Sequence, residues 1–167
     1  MKEETSLDPF AVKILGELQV DGRLTVQNLA TRIGLSTTPT WNRLRELERA
    51  GVIHHYAAIL DRHAVGLDSC VLAEVNLSRH MENVVEEFEQ AVRECSAIIE
   101  CQSTTGQADY LLKVVTPDIT EYDSFLHNVI FKLPGVREIR SSVVLREIKS
   151  QSPLPLAHLP GKQSGKS

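Results

Sequence analysis

The stretch TVQNLATRIGLSTTPTWNRLRELERAG (Thr25–Gly51) decides the fold of the N-terminal part of the chain. Thr25 is a helix-capping residue type, and Val26, Leu29, Ala30 and Ile33 then recur at helical spacing. Gly34 suits the left-handed position that ends a helix without a Cβ penalty, and Leu35 can plug the core across the turn. Ser36 opens another helix with Pro39 in its first turn, and Trp41, Leu44 and Leu47 form its expected buried stripe before Gly51 stops it. Only Gly34-Leu35-Ser36 separates the two helices. That is too short for side-by-side antiparallel packing, so the second helix crosses the first steeply, as in a helix-turn-helix.

With Trp41, Leu44 and Leu47 inward, the outward face displays Thr37, Thr38, Thr40, Asn42, Arg43, Arg45 and Arg49, with Ser36 at its start. Hydroxyl, amide and guanidinium groups are the types that reach phosphates and base edges, although a solvated basic face would look similar. Charge supports the first alternative. The net charge is −4, yet residues 23–49 carry five arginines against two glutamates, whereas residues 61–150 carry 9 basic and 15 acidic side chains. An N-terminal part facing phosphates and a C-terminal part that does not would produce this asymmetry.

Upstream, Asp8-Pro9 opens a first helix carrying Phe10, Ile14, Leu15 and Leu18, and Asp21-Gly22 ends it. Downstream, Val52–Leu60 patterns as a strand. Beyond a connector, Cys70–Leu77 alternates as a strand and residues 80–95 form a helix burying Met81, Val84, Val85, Phe88, Ala91 and Val92. Ala97–Thr104 and Tyr110–Val115 are strands about the Gly106-Gln107-Ala108 turn. Pro117-Asp118 starts a helix that buries Ile119, Tyr122, Phe125, Leu126, Val129 and Ile130. Pro134-Gly135 breaks that helix before a last strand over Val136–Ile148. The expected fold class is α+β: a winged helix-turn-helix followed by a ferredoxin-like βαββαβ domain. The expected boundaries are residues 1–51 for the DNA-binding domain, 52–66 for the linker, 67–150 for the sensing and dimerisation domain, and 151–167 for a flexible tail. A four-stranded sheet covered on one face leaves the other for a partner, and a symmetric homodimer is the commonest solution. A dimer also sets two recognition helices on two half-sites.

Other classes find little support. No apolar run approaches the ~18 residues that cross a bilayer, and Met1–Glu4 lacks a secretion signal, so a soluble, cytoplasmic protein with no membrane association is expected. Cys70, Cys95 and Cys101 are odd in number and lack CxxC spacing, which suits reduced, buried thiols. There is no phosphate loop, no nucleophile motif and no zinc spacing, so no catalytic residue, cofactor or metal is expected. Glutamates 82, 86, 87, 89 and 94 fall on a solvated helix face.

The motifs together resemble the leucine-responsive and asparagine-responsive regulators, the Lrp/AsnC family. Leu35–Glu48 resembles its recognition helix and Gly51-Val52-Ile53 its exit. Gly106-Gln107-Ala108-Asp109-Tyr110-Leu111-Leu112 is similar to its Gly-x-x-Asp-Tyr-Leu-Leu turn, and Leu133-Pro134-Gly135-Val136 to the start of its last strand. The resemblance spans about Leu7 to Ile148. It implies a regulator of double-stranded operator DNA, pseudo-palindromic in sequence, built from homodimers that assemble further into species such as octamers. It also implies an amino-acid effector bound between neighbouring dimers by Ser103, Gly106, Asp109, Ile119, Ser142, Val143 and Val144. A glycine turn offers backbone N–H groups to a carboxylate, and an ionised Asp109 accepts from an α-ammonium. Asp109 as a turn cap and Ser142 as a plain strand hydroxyl stay open beside that. Two rival classes are an enzyme resembling sirohaem decarboxylases, for which His63, His80 and His127 are scattered and outside any motif, and a protein-interaction module.

Overall fold

The computed structural model describes residues 7–78 and 83–159, and the chain divides into two compact units. The first comprises residues up to 59 together with those from 149 onward; the second comprises Leu60–Ile148.

Three helices build the first unit: α1 (Pro9–Val20), α2 (Val26–Ile33) and α3 (Thr37–Arg49). Each start follows from local chemistry. The Asp8 side chain accepts from the Ala11 N–H at 2.6 Å with Pro9 following it, and Thr25 accepts from the Asn28 N–H at 3.2 Å. Such caps satisfy amide donors that the helix itself leaves unpaired. Gly34 adopts φ +75°, closing α2 and turning the chain into α3. Ala11, Ile14, Leu15, Leu29, Ile33 and Leu47 are the buried core of the unit.

One expectation fails in this unit. No strand forms over Val52–Leu60: Val52 and Ile53 pack on the helical core, and no partner strand is present among the described residues of the unit. The tail expected to be flexible from residue 151 touches the helices at Leu154 and Leu156, and its residues 160–167 lie outside the described residues. Leu156 packs against the core, and the Gln19 amide binds the Leu154 backbone twice, accepting from its N–H at 2.6 Å and donating to its carbonyl at 3.3 Å. The Pro-Leu-Pro-Leu run of residues 153–156 supplies apolar surface that composition alone conceals.

The second unit runs β1 (Ser69–Leu77), α4 (Val84–Glu94), β2 (Ile98–Ser103), β3 (Tyr110–Thr116), α5 (Ile119–Asn128), a 3-10 turn (Ile130–Lys132) and β4 (Val136–Val143). All pairings are antiparallel and the strand order is β2-β3-β1-β4. This is the ferredoxin-like arrangement, and the strand–helix–strand alternation read from sequence reproduces it. Strand alternation sends Val71, Ala73, Val75, Leu112 and Val114 to one face, where they meet Phe88, Val92, Tyr122 and Phe125. Met81 and Glu82 lie outside the described residues.

Some side chains depart from expectation. Val85 and Ile119 are exposed rather than buried. Glu89 is half-buried and accepts from the Tyr110 hydroxyl at 2.9 Å. Burial, together with that carboxylate, pushes the phenol up to about 12. Cys101 is exposed and Cys95 half-buried, leaving only Cys70 in the core. β4 stops at Val143, five residues short of Ile148, because its partner runs out: Val144 N–H reaches the Cys70 carbonyl at 2.9 Å, one residue from the start of β1. Gly135 has φ +69°, and a Cβ there would lie 1.8 Å from a Val84 methyl, so the Pro-Gly break needs this glycine twice over.

Candidate nucleic-acid interface and effector region

α3 buries Thr40 and Leu47 and half-buries Leu44, a stripe at i, i+4 and i+7. The opposite side exposes Ser36, Thr37, Thr38, Trp41, Asn42, Arg45 and Arg49. Two residues thus exchange their expected places. Thr40, expected on the DNA face, is 0% exposed and cannot reach a groove. Its hydroxyl donates to the Ser36 carbonyl at 2.9 Å, which satisfies its polarity and lets it act as a small core residue. Trp41, expected to anchor the core, is 49% exposed, and the Arg45 guanidinium lies over its ring at 5.4 Å.

The arginines separate by partner. Arg43 is half-buried, its Nε and Nη2 each 2.9 Å from Asp8 Oδ2, and it lies 5.7 Å over the Phe10 ring. It ties α3 to the start of α1. Arg45 makes only a 4.0 Å contact to Glu48, and among the described residues Arg49 is exposed with no acidic partner. These two cations are available to an anionic partner. Ser36 makes no side-chain cap bond, so its hydroxyl is available too.

Burial alone would raise the Asp8 carboxyl, but hydrogen bonds from Arg43 and Ala11, with the Arg43 charge, hold it below its ordinary value. Its folded pKa is depressed. The stability it contributes is therefore present above the unfolded value of about 3.9 and lost as pH falls through the folded pKa. Asp8→Asn is expected to flatten the loss of helical-unit stability below about pH 4, measured by urea denaturation across pH. An unchanged acid limb would mean the pair contributes nothing.

In the second unit, Asp109 bonds to the end of a neighbouring strand. Its Oδ2 accepts from the Leu77 N–H at 2.9 Å, and its own N–H donates to Asn76 Oδ1 at 3.2 Å, binding the hairpin to the end of β1. Ser103 pairs with Tyr110 at the same end, and Gly106 is exposed in the turn. Ser142 and Val143 lie at the far end of β4, opposite Leu72 and Val71. Ile119, 53% exposed, starts α5 three residues beyond Thr116, which pairs with Ser69 at that same far end. Ser103 is level with Ile139, four residues and three strand spacings from Val143, or roughly 20 Å. Within one chain, the expected effector residues therefore form two groups rather than one pocket. A cavity of about 510 Å³ beside Thr116, Pro117, Glu121, Ser124 and Phe125 lies at the far end.

The sheet face away from the helices exposes Leu72 and Leu111 and carries Ser142. On the same face Lys113 binds Glu147 at 3.0 Å and Glu100 at 3.7 Å, and Glu147 is also 3.4 Å from Arg62. Hydrogen bonding from Lys113 holds the Glu147 carboxyl below its usual range.

Residues 7–54 match the family model of the winged helix-turn-helix DNA-binding domain, and residues 70–154 match that of the Lrp/AsnC ligand binding domain. The leucine-responsive regulatory proteins of Escherichia coli K12 and Klebsiella pneumoniae are 40% identical over 148 residues, 89% of this chain and 90% of theirs. The chain belongs to the Lrp/AsnC family. A transcriptional regulator of Neisseria meningitidis, solved in complex with L-Met, superposes with a TM-score of 0.87 at 37% identity, over 91% of this chain and 98% of that one. An AsnC family regulator from Agrobacterium tumefaciens gives 0.84 at 37%, over 89% and 97%. This Lrp/AsnC protein is accordingly a DNA-binding transcription regulator with a ligand-binding C-terminal domain, not an enzyme, and the decarboxylase alternative falls. No helix among the described residues is long and apolar enough to cross a membrane.

Proposed function

We propose that this Lrp/AsnC regulator grips double-stranded, pseudo-palindromic operator DNA through Ser36, Thr37, Thr38, Asn42, Arg45 and Arg49, and that an amino acid modulates its activity or assembly in the cytoplasm. The observation that carries the DNA surface is the exposed stripe of α3, where Arg45 and Arg49 face outward without close acidic partners. Arg43 holds α3 in place instead. Two copies pair through the uncovered sheet face, where Leu72 and Leu111 are exposed, and dimers associate further, to octamers or similar species.

The effector, an amino acid, sits where copies meet. The roughly 20 Å between the Asp109 and Val143 ends supports a site shared between chains, with Ser103, Gly106 and Asp109 from one and Ile119, Ser142, Val143 and Val144 from another. The L-Met bound by the Neisseria relative makes amino acids the first ligands to test. A thermal-shift screen against the common amino acids tests the proposal, because a ligand that prefers the native state raises the melting temperature. Asp109→Asn keeps an oxygen for the Leu77 N–H and removes the charge. It is expected to leave the unliganded melting temperature within about 2 °C and abolish the ligand-induced rise. A full rise in that variant removes Asp109 from the effector site.

A further inference from the structure

The position of Trp41 needs an explanation that the phosphate contacts of α3 do not supply. It is the only tryptophan in the chain, and it stands on the outer side of α3 between Thr38 and Arg45, next to Asn42. At 49% exposure the indole forgoes much of the stabilisation that burying such a ring provides. Trp is also a poorer helix former than the Arg, Lys or Glu that a solvated position would favour. Phosphate binding needs charge and hydrogen-bond donors, not an aromatic plane. The ring is held by the Arg45 guanidinium 5.4 Å above it, one helical turn on, so the two side chains form one preorganised unit. That unit offers an apolar surface beside a fork of donors, with the Asn42 amide adjacent. In the major groove, an apolar surface has one matching target among the bases, the C5-methyl of thymine.

We propose that Trp41 reads sequence: its ring seats on a thymine methyl in the major groove and holds Arg45 where it can donate to a neighbouring base or phosphate. This rests on the assignment of α3 to the DNA surface and adds to it a residue that determines which duplex is preferred.

Because Trp41 is alone, its emission reports this one position. The full-length protein first selects a duplex from a random pool. Saturation with that duplex is expected to shift or quench the emission and to protect the ring from acrylamide. Each thymine is then replaced in turn by deoxyuridine, which removes only the methyl. At one position in each half-site wild type loses about fourfold in affinity, the worth of one buried methyl-sized group. Trp41→Ala loses nothing further there, and Trp41→Phe keeps part of the sensitivity. Equal losses in wild type and Trp41→Ala at every thymine, or a ring as open to acrylamide in the complex as free, would overturn the proposal. If wild type retains no duplex at all, the anisotropy of labelled DNA stays flat, and the α3 assignment falls with it. A changed sequence preference with anisotropy intact bears on Trp41 alone.

Discussion

Alanine in place of both Arg45 and Arg49 is expected to weaken operator binding roughly 10²–10³-fold while leaving the melting temperature unchanged. Both side chains are exposed, and the nearest acid to Arg45 is Glu48 at 4.0 Å, so their removal disturbs no buried contact. In the proposed homodimer four guanidinium groups would be lost at once, and even ~1 kcal/mol for each charge-assisted contact multiplies to that range. The salt dependence gives an independent readout. Every phosphate neutralised contributes about 0.9 to the slope of log affinity against log salt, so the double variant loses up to about 3.6. Fluorescence anisotropy at several salt concentrations measures both quantities. A slope equal to that of wild type would put the cations outside the groove.

Phe88→Ala is expected to cost the second unit about 3–5 kcal/mol, the usual range for a fully buried phenylalanine. The ring is 0% exposed, lies between α4 and the sheet, and tilts against Tyr110 with centroids 4.8 Å apart. Small domains have total stabilities of about 5–15 kcal/mol, so the variant stands near unfolding. Because the sole tryptophan belongs to the helical unit, its emission follows that unit alone, while circular dichroism follows both. Urea denaturation should therefore show the dichroism transition moving to lower denaturant while the emission transition stays. A loss below about 1 kcal/mol would mean that the surrounding side chains close the gap.

What the sequence reveals and what it hides divide along physical lines. Asp8, Thr25 and Gly34 were readable because caps and left-handed turns depend on a few adjacent atoms. The βαββαβ order was readable because alternation and helical spacing persist over whole elements. The rotational phase of α3 was not. Trp41 and Thr40 differ by one position, or about 100° around the helix, and hydropathy favours the tryptophan as the buried one. A hydroxyl that returns to the Ser36 carbonyl reverses that preference, and only coordinates show it. Strand extents were likewise hidden, since pairing is a property of two segments. Val52–Leu60 patterns as a strand but pairs with no strand among the described residues, and β4 ends where β1 begins. Of the residues expected on the DNA face, Ser36, Thr37, Thr38, Asn42, Arg45 and Arg49 are exposed as read, whereas Thr40 is buried and Arg43 is tied to Asp8. The residues expected at the effector site carry motifs but no common place in one chain, because their two groups stand at opposite ends of one sheet.

Leu156 completes a hydrophobic cluster whose other members all precede residue 54. During synthesis the helical unit therefore lacks this flanking apolar contact until the second unit and the start of the tail have been translated. Shortening the chain from its C-terminal side, by a nonsense codon or a protease, would accordingly be felt in the packing of the very first helices rather than where the cut was made.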